Sequence, residues 1–138
     1  GIVGFADLRL GSAVKSVLES HIEKAPKRFK GIRHATGWHK SSEIKNSHTN
    51  PKKGEMLSDP FLEGFGILKE LNLSYDAWCY HEQIPEIVKL ASIFPETIIV
   101  LDHFGTVSNY FQTVSDCFGS FSDRFGYFSD RFRMIISL

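Results

Sequence analysis

Cysteine, net charge and long apolar runs are what this sequence has least of. Two cysteines among 138 residues do not make a disulfide framework, so a reducing, cytoplasmic setting is expected. Sixteen basic and sixteen acidic residues cancel, which argues against a nucleic-acid-binding protein. No apolar stretch reaches the roughly 18 residues of a membrane span, and the first residues show no signal-peptide pattern. A hydrophobic content of 42 % instead indicates one domain with a core.

Histidines follow three β-like runs of the sequence. Helix-like segments lie between these runs, which predicts parallel strands. Parallel strands place their carboxyl ends at one rim, where α/β proteins carry their chemistry. Three imidazoles at one rim favour a metal-assisted or acid–base site. The runs cover residues 29–33, 73–80 and 97–102, and they lead to His34, His81 and His103.

The order of the elements predicts an α/β fold with a parallel sheet. The pattern reads β-α-β-loop-α-β-α-β, and the chain opens as though cut just before its first strand. The long polar loop stands out, because structureless loops of this length are uncommon and tend to be lids or binding loops. Strands are predicted at 2–8, 29–35, 73–80 and 98–101, helices from Gly11 to Pro26, from Asp59-Pro60 onward and from Pro85 to Pro95, and the loop at 37–57.

The character of the sequence changes after Gly105. Residues 106–133 form four heptads with Ser at the third place, Asn or Asp at the fourth and Phe at the sixth. A heptad repeat first suggests a coiled coil, but Gly119, Gly126 and the Ser-Asp pairs oppose a helix. A short DNA repeat read in frame is the favoured interpretation, and an amphipathic interaction segment is the alternative. We therefore divide the chain into residues 1–105 and a low-complexity repeat tail, residues 106–138, which we predict to pack poorly on the sheet.

Four motifs within residues 1–105 are similar to those of one known family. They are ADL at Ala6–Leu8, FKGIRH at Phe29–His34, NSHTNP at Asn46–Pro51 and LSYDAWCYHEQIPEIVKLASIFPETIIVLDHFG at Leu73–Gly105. With them the chain resembles the amidohydrolase-related family of TIM-barrel metal-dependent hydrolases, which contains sugar-lactone and dicarboxylate lactonases. The resemblance implies a partial (β/α) barrel of about four β/α units and a small-molecule substrate.

The resemblance also shows which family features this sequence does not contain. A full barrel needs eight β/α units and about 250 residues. The family's first-strand His-x-His pair and eighth-strand Asp have no counterpart here, and Glu82 stands where the family usually has Pro. A truncated, inactive hydrolase is the expectation, and the alternative is a non-enzymatic half barrel that self-associates through exposed strand edges. A doubly wound binding domain is disfavoured, because no Gly-rich phosphate-binding turn follows the first strand.

The resemblance implies attack of water on a lactone or similar ester carbonyl, with a divalent, zinc-like metal in the intact family. It implies that His103 is a catalytic metal ligand, although a hydrogen-bonded rim histidine is the other interpretation. His81 is assigned to the catalytic rim, and a role in capping the next helix is equally compatible with its position. Because one imidazole cannot hold zinc, we expect no metal to be bound by this fragment.

Three further residues are predicted to bind substrate. Arg33 and His34 form a pair suited to a carboxylate or hydroxyl group, since guanidinium binds carboxylates in a bidentate manner. Strand alternation allows only one of the two to face inward. Asp76 lies in an apolar run, and a buried carboxylate needs a partner. It belongs either to the polar interior of the barrel or to a structural pair, which is slightly favoured. His39 and His48 are expected to be solvated in the loop.

Overall fold

Four short strands form one parallel sheet in the computed structural model, which describes residues 1–101. The strands lie in chain order, and each neighbouring pair is parallel. The predicted α/β class is therefore confirmed as a parallel sheet with alternating helices, which is compatible with a partial β/α barrel. The strands are β1 (Ile2–Gly4), β2 (Phe29–Arg33), β3 (Ser74–Ala77) and β4 (Ile99–Leu101), and the helices are α1 (Val14–Lys24), α2 (Asp59–Glu70) and α3 (Ile84–Ile93).

The helices begin and end close to their sequence signals. The N-cap of α2 is Ser58 rather than Asp59, and Pro60 lies in the first turn. Pro85 has the same place in α3, where its missing N–H removes no helical hydrogen bond. Helix α1 ends at Lys24, two residues before Pro26. These limits lie within one or two residues of the predicted ones, whereas α1 begins at Val14, three residues after the predicted start at Gly11, because residues 8–13 form a 3-10 helix.

The strands are shorter than predicted. β1 ends at Gly4, and the chain then enters a 3-10 helix, Leu8–Ala13, that is capped by the side chain of Asp7. β3 ends at Ala77, so the expectation that a strand leads directly to His81 was wrong. His81 instead begins a 3-10 turn, His81–Gln83. Residues 78–80 are of types that favour strands, but they are not part of β3, because a strand forms only where a neighbouring strand completes the hydrogen-bonded ladder.

The two faces of the sheet have different environments. Ile32, Tyr75 and Ile99 occupy matching ladder positions, are fully buried, and share a core with apolar residues of the helices. Successive residues of a strand point to opposite faces, so the other face carries Arg33, Asp76 and Val100 at matching positions, together with Val3 and Ile98. Val3 is 48 % exposed and Ile98 is 41 % exposed. We call this second surface the open face.

Several predictions fall beyond the described residues. Asp102, His103 and the repeat tail lie outside residues 1–101, and so does the predicted domain boundary at Gly105. Within the described part, β1 and β4 are the two edge strands of the sheet. None of the helices in that part is long and apolar enough to cross a membrane.

Candidate functional site

Arg33 and Asp76 lie side by side on the open face, near the carboxyl ends of β2 and β3. They occupy matching positions of the ladder, and Arg33 donates to Oδ2 of Asp76 from Nε at 3.2 Å and from Nη2 at 2.7 Å. The Arg33 side chain is 42 % exposed, whereas that of Asp76 is 10 % exposed. The carboxylate that was expected to need a partner thus has a guanidinium, and part of that guanidinium faces solvent.

His34 points to the opposite side of the sheet and lies in the core. It is fully buried, its ring lies 5.5 Å from that of Phe61, and its Nδ1 accepts the Leu8 N–H at 3.1 Å. Burial lowers the pKa of His34 to about 4, so the ring is neutral at pH 7. Because Nδ1 accepts, the proton is on Nε2. The structure therefore separates the two residues that the sequence placed together, and Arg33 is the one on the open face.

Arg9 connects the segment after β1 to the long loop. Its guanidinium donates to both carboxylate oxygens of Asp7, at 2.9 and 2.8 Å, and to the carbonyl of Thr49 at 3.1 Å. The hydrogen bond with Arg9 lowers the pKa of Asp7 and keeps that carboxyl ionised. The Thr49 hydroxyl donates in turn to the carbonyl of Ala35, just beyond β2. The loop is thus fastened to the ends of two neighbouring strands.

The loop after β2 folds back on its own base. The Ser47 N–H donates to the Gly37 carbonyl at 2.8 Å, and the His39 N–H donates to Oδ1 of Asn46 at 2.6 Å. From the β3 side, the Tyr80 hydroxyl donates to the Lys45 carbonyl at 2.5 Å. These three bonds hold residues 45–48 beside the end of β2, which is the placement expected of a binding loop rather than of a solvated connection.

An open cleft of about 330 Å³ lies between this loop and the sheet. The sequence predicted a functional loop here, but it did not identify the residues that meet across the cleft. Their meeting depends on loop hydrogen bonds between positions that carry no motif. The lining residues are Arg33, Ala35, Lys45, Asn46, Ser47, His48 and Trp78.

The two loop histidines have different environments. His48 is exposed, as expected. His39 is not, because its side chain is only 13 % exposed and its Nδ1 accepts the Ser41 N–H at 3.0 Å. Its Nε2 lies 3.6 Å from a carboxylate oxygen of Glu82. The expectation that His39 is solvated was therefore wrong, since the loop folds back far enough to cover its ring.

Gln83 is a central polar residue that sequence reasoning missed. It is buried, its Oε1 accepts N–H groups of Trp38 at 2.9 Å and Tyr80 at 3.1 Å, and its Nε2 donates to the Thr36 carbonyl at 2.8 Å. It thereby joins the segments that follow β2 and β3. A glutamine three residues after an N-cap is the available signal, but Tyr80 is not a usual N-cap residue.

His81 stands next to this network but is not among the residues that line the cleft. It is partly buried, and its Nδ1 has no hydrogen-bond partner among the described residues. The cap of the 3-10 turn is formed by Tyr80 and Gln83. The catalytic role of His81 stays a prediction.

The described residues do not form a metal site. Within residues 1–101, no group of three or more His, Cys, Asp or Glu side chains could hold a metal ion. Asp7 is engaged by Arg9, and Nδ1 of His34 accepts the Leu8 N–H. The predicted metal ligand, His103, lies outside this range. Burial raises the pKa of the Cys79 thiol to about 12, so it is not a thiolate nucleophile at neutral pH.

Comparisons with known proteins extend over most of the chain. The profile of a family described as amidohydrolase matches residues 1–121. The uncharacterized protein y4mH of Sinorhizobium fredii (strain NBRC 101917 / NGR234) is 35 % identical over 106 residues, which are 76 % of this chain and 33 % of that protein. The chain thus spans about a third of the length of this relative. No solved structure matches the chain.

Proposed function

The chain belongs to the amidohydrolase family, and from that premise we propose that it forms part of a hydrolase that acts on a lactone or a similar ester carbonyl. The observation that carries the proposal is the half-exposed Arg33, which is held by Asp76 at the ends of two adjacent parallel strands and lines the cleft. In β/α barrels the residues at the carboxyl ends of the strands carry out the chemistry. Arg33 is thus suited to bind a polar group of the substrate.

The proposed reaction is the addition of water to the carbonyl carbon. The new C–O bond forms as the ring C–O bond breaks, one water proton passes to the leaving oxygen, and the product is a hydroxy acid. His81 is the residue to which we assign proton transfer, because imidazole is a common general acid–base group and its Nδ1 has no hydrogen-bond partner among the described residues. His34 is buried and neutral, so a direct contact with substrate requires a rearrangement of the core.

Divalent metals are common in this family, and there a metal polarises the carbonyl or activates the water. We propose His103 as a catalytic residue and as the ligand that this chain contributes. We further propose that residues 1–138 alone show no measurable turnover. The reason is that the resemblance assigns the other ligands and the water-orienting Asp to strands that have no counterpart in this sequence.

A chimera tests the hydrolase proposal. Residues 1–105 would replace the matching segment of y4mH, and both proteins would be assayed on a panel of sugar lactones with added zinc. We expect hydrolysis by both, and a decrease in kcat/KM of about tenfold or more for the Arg33→Met chimera, since a charged hydrogen bond to substrate is lost. Arg28→Met is the matched control, because Arg28 is exposed and lies just before β2.

Two results would refute the proposal. One is the absence of lactone hydrolysis in both y4mH and the chimera. The other is an equal effect of Arg33→Met and Arg28→Met, which would place Arg33 outside the substrate site. Hydrolysis by residues 1–138 alone would contradict only the proposed inactivity of this chain.

A second candidate function, a non-enzymatic half barrel that self-associates, is favoured by one observation. Val3, Phe5 and Ile98 are each more than two-fifths exposed, and Val3 lies on the edge strand β1. Exposed apolar side chains beside an unpaired strand edge favour pairing with another chain.

A further inference from the structure

We propose that the cleft is a subsite for a small oxyanion group, a carboxylate or a phosphate, carried on a molecule with a flat apolar part. Lys45, Ser47 and His48 would bind the oxyanion, and Trp78 would contact the apolar part. The biological role of this subsite rests on the proposed function, because the oxyanion would belong to the substrate of the hydrolase. The binding itself does not require that any reaction occurs.

The charge of the lining favours an anion. Lys45 and Arg33 are cationic, His48 supplies an imidazole, and none of the described residues that line the cleft is acidic. The positive charge of Arg33 is shared with Asp76. The Lys45 ammonium makes no ion pair or hydrogen bond within the described part of the chain. Because Lys45 is exposed, solvent and salt screen its charge, and its attraction for an anion should weaken as the salt concentration rises.

The hydroxyl of Ser47 supplies the second, independent observation. Ser47 is 7 % exposed, and its Oγ is buried without a hydrogen-bond partner among the described residues, yet the residue lines the cleft. Buried hydroxyl groups normally have partners. The backbone of Ser47 is held by the bond to Gly37, and its hydroxyl is a donor at the cleft wall that none of the described residues uses.

The wall of the cleft indicates the rest of the ligand. A Cβ atom at Gly37 would lie 2.5 Å from the Trp78 ring and 2.9 Å from Oγ of Ser47, so indole and hydroxyl approach each other across this glycine. Ala35 adds apolar surface. Asn46 uses its Oδ1 for the His39 N–H, which leaves its amide NH₂ as a further donor. A planar molecule with one oxyanion group therefore matches both parts of the lining.

The test measures binding to the complete chain through Trp78. Trp38→Phe leaves Trp78 as the single tryptophan, and its fluorescence would be titrated with benzoate, with the neutral isostere benzamide, and with inorganic phosphate. We expect benzoate to bind about tenfold more tightly than benzamide, since only benzoate is charged. Competition by phosphate would extend the subsite to both oxyanions, and its absence would restrict the subsite to carboxylates.

Three variants in this background identify the residues. Lys45→Met should weaken benzoate binding by about tenfold and Ser47→Ala by about threefold, because each loses one donor to the anion. Because the Ser47 hydroxyl has no partner among the described residues, Ser47→Ala should not lower the thermal stability. A loss of benzoate binding at unchanged stability would therefore show that the hydroxyl contacts the anion. Lys40→Met is the matched control, because Lys40 is exposed on the same loop and does not line the cleft.

The proposal is overturned by equal affinity for benzoate and benzamide, by no fluorescence response to either oxyanion, or by equal effects of Lys40→Met and Lys45→Met. Its failure is distinguishable from that of the hydrolase proposal. Benzoate binding together with an inactive chimera would refute only the hydrolase proposal. An active chimera together with no benzoate binding would refute only the subsite proposal.

Discussion

At the scale of the residue, His34 shows how position along a strand decides chemistry. Arg33 and His34 are neighbours in sequence, but alternation places them on opposite faces of the sheet. One is a half-exposed cation and the other a neutral ring in the core. The buried ring still has a consequence for the whole protein, because its protonation is linked to folding.

We predict that His34 makes stability fall in mild acid. Its pKa is about 4 in the folded state and 6.5 in the unfolded state, so the unfolded state binds more protons between these values. The contribution is complete above pH 6.5 and is lost progressively toward pH 4, by about 3 kcal/mol in total. His34→Asn keeps an acceptor for the Leu8 N–H, and it should show a smaller decrease in the free energy of unfolding between pH 6.5 and 4 in urea titrations.

The control for this prediction is His48→Asn, which changes an exposed histidine. It should retain the pH dependence of the parent chain. Parallel stability curves for the parent and His34→Asn would show that another group causes the acid sensitivity.

Residue-scale prediction from the sequence succeeded where the argument was local. The need of Asp76 for a partner follows from a carboxylate in an apolar run. The identity of the partner does not, because Arg33 lies 43 positions away and the pair depends on the register between β2 and β3. The same limit applies to Ser47 and Trp78, which meet only after the loop has folded over the strand ends.

At the scale of the element, the packing of α2 depends on the close approach of Gly64 to the backbone of Leu8. A Cβ at Gly64 would lie 2.2 Å from the carbonyl oxygen of Leu8, so the helix packs against the backbone of the 3-10 segment without room for a side chain. Gly66 in the same helix has its nearest neighbour, Cε1 of Phe94, at 3.4 Å. The two glycines therefore differ in packing but share the same helical backbone.

This pair gives a prediction with an internal control. Gly64→Ala should lower the free energy of unfolding by about 2 kcal/mol or more, because the helix must move away from Leu8. Gly66→Ala should leave it unchanged or raise it by up to about 1 kcal/mol through helix propensity. Urea unfolding of both variants measures the difference. Equal effects of the two substitutions would mean that α2 does not pack as closely on the 3-10 segment as the structure shows.

Elements were predictable to different degrees for a physical reason. The limits of a helix are determined by residues at its own ends, and the prolines at 26, 60 and 85 lie close to the observed limits. Strand limits were not, since β3 stops at Ala77 although extended-type residues continue to Tyr80. A helix completes its hydrogen bonds within its own segment, whereas a strand needs a neighbour.

At the scale of the whole molecule, the described sheet has four parallel strands in chain order and two open edges. The alternation of strands and helices in the sequence predicted this class, and the strand order agrees with the partial barrel that the family resemblance implies. The sequence did not reveal how far the open face is exposed. That exposure is the basis of the self-association proposal. Strand β1 combines an exposed apolar side chain with a strand edge, whereas other exposed apolar residues, such as Ile93, do not lie at a strand edge.

We predict that the purified chain self-associates through β1 and the open face. Val3 is 48 % exposed on that strand, and Lys on an edge strand opposes edge-to-edge pairing by its charge. Val3→Lys should therefore weaken the association by about tenfold, measured as concentration-dependent mass in sedimentation equilibrium. Ile93→Lys is the matched control, because Ile93 is 45 % exposed but lies at the end of α3, away from the sheet edge. A parent chain that stays monomeric at all concentrations, or an equal effect of both lysines, would rule out the open face as the interface. In that case the exposed apolar residues are no evidence for a non-enzymatic assembly.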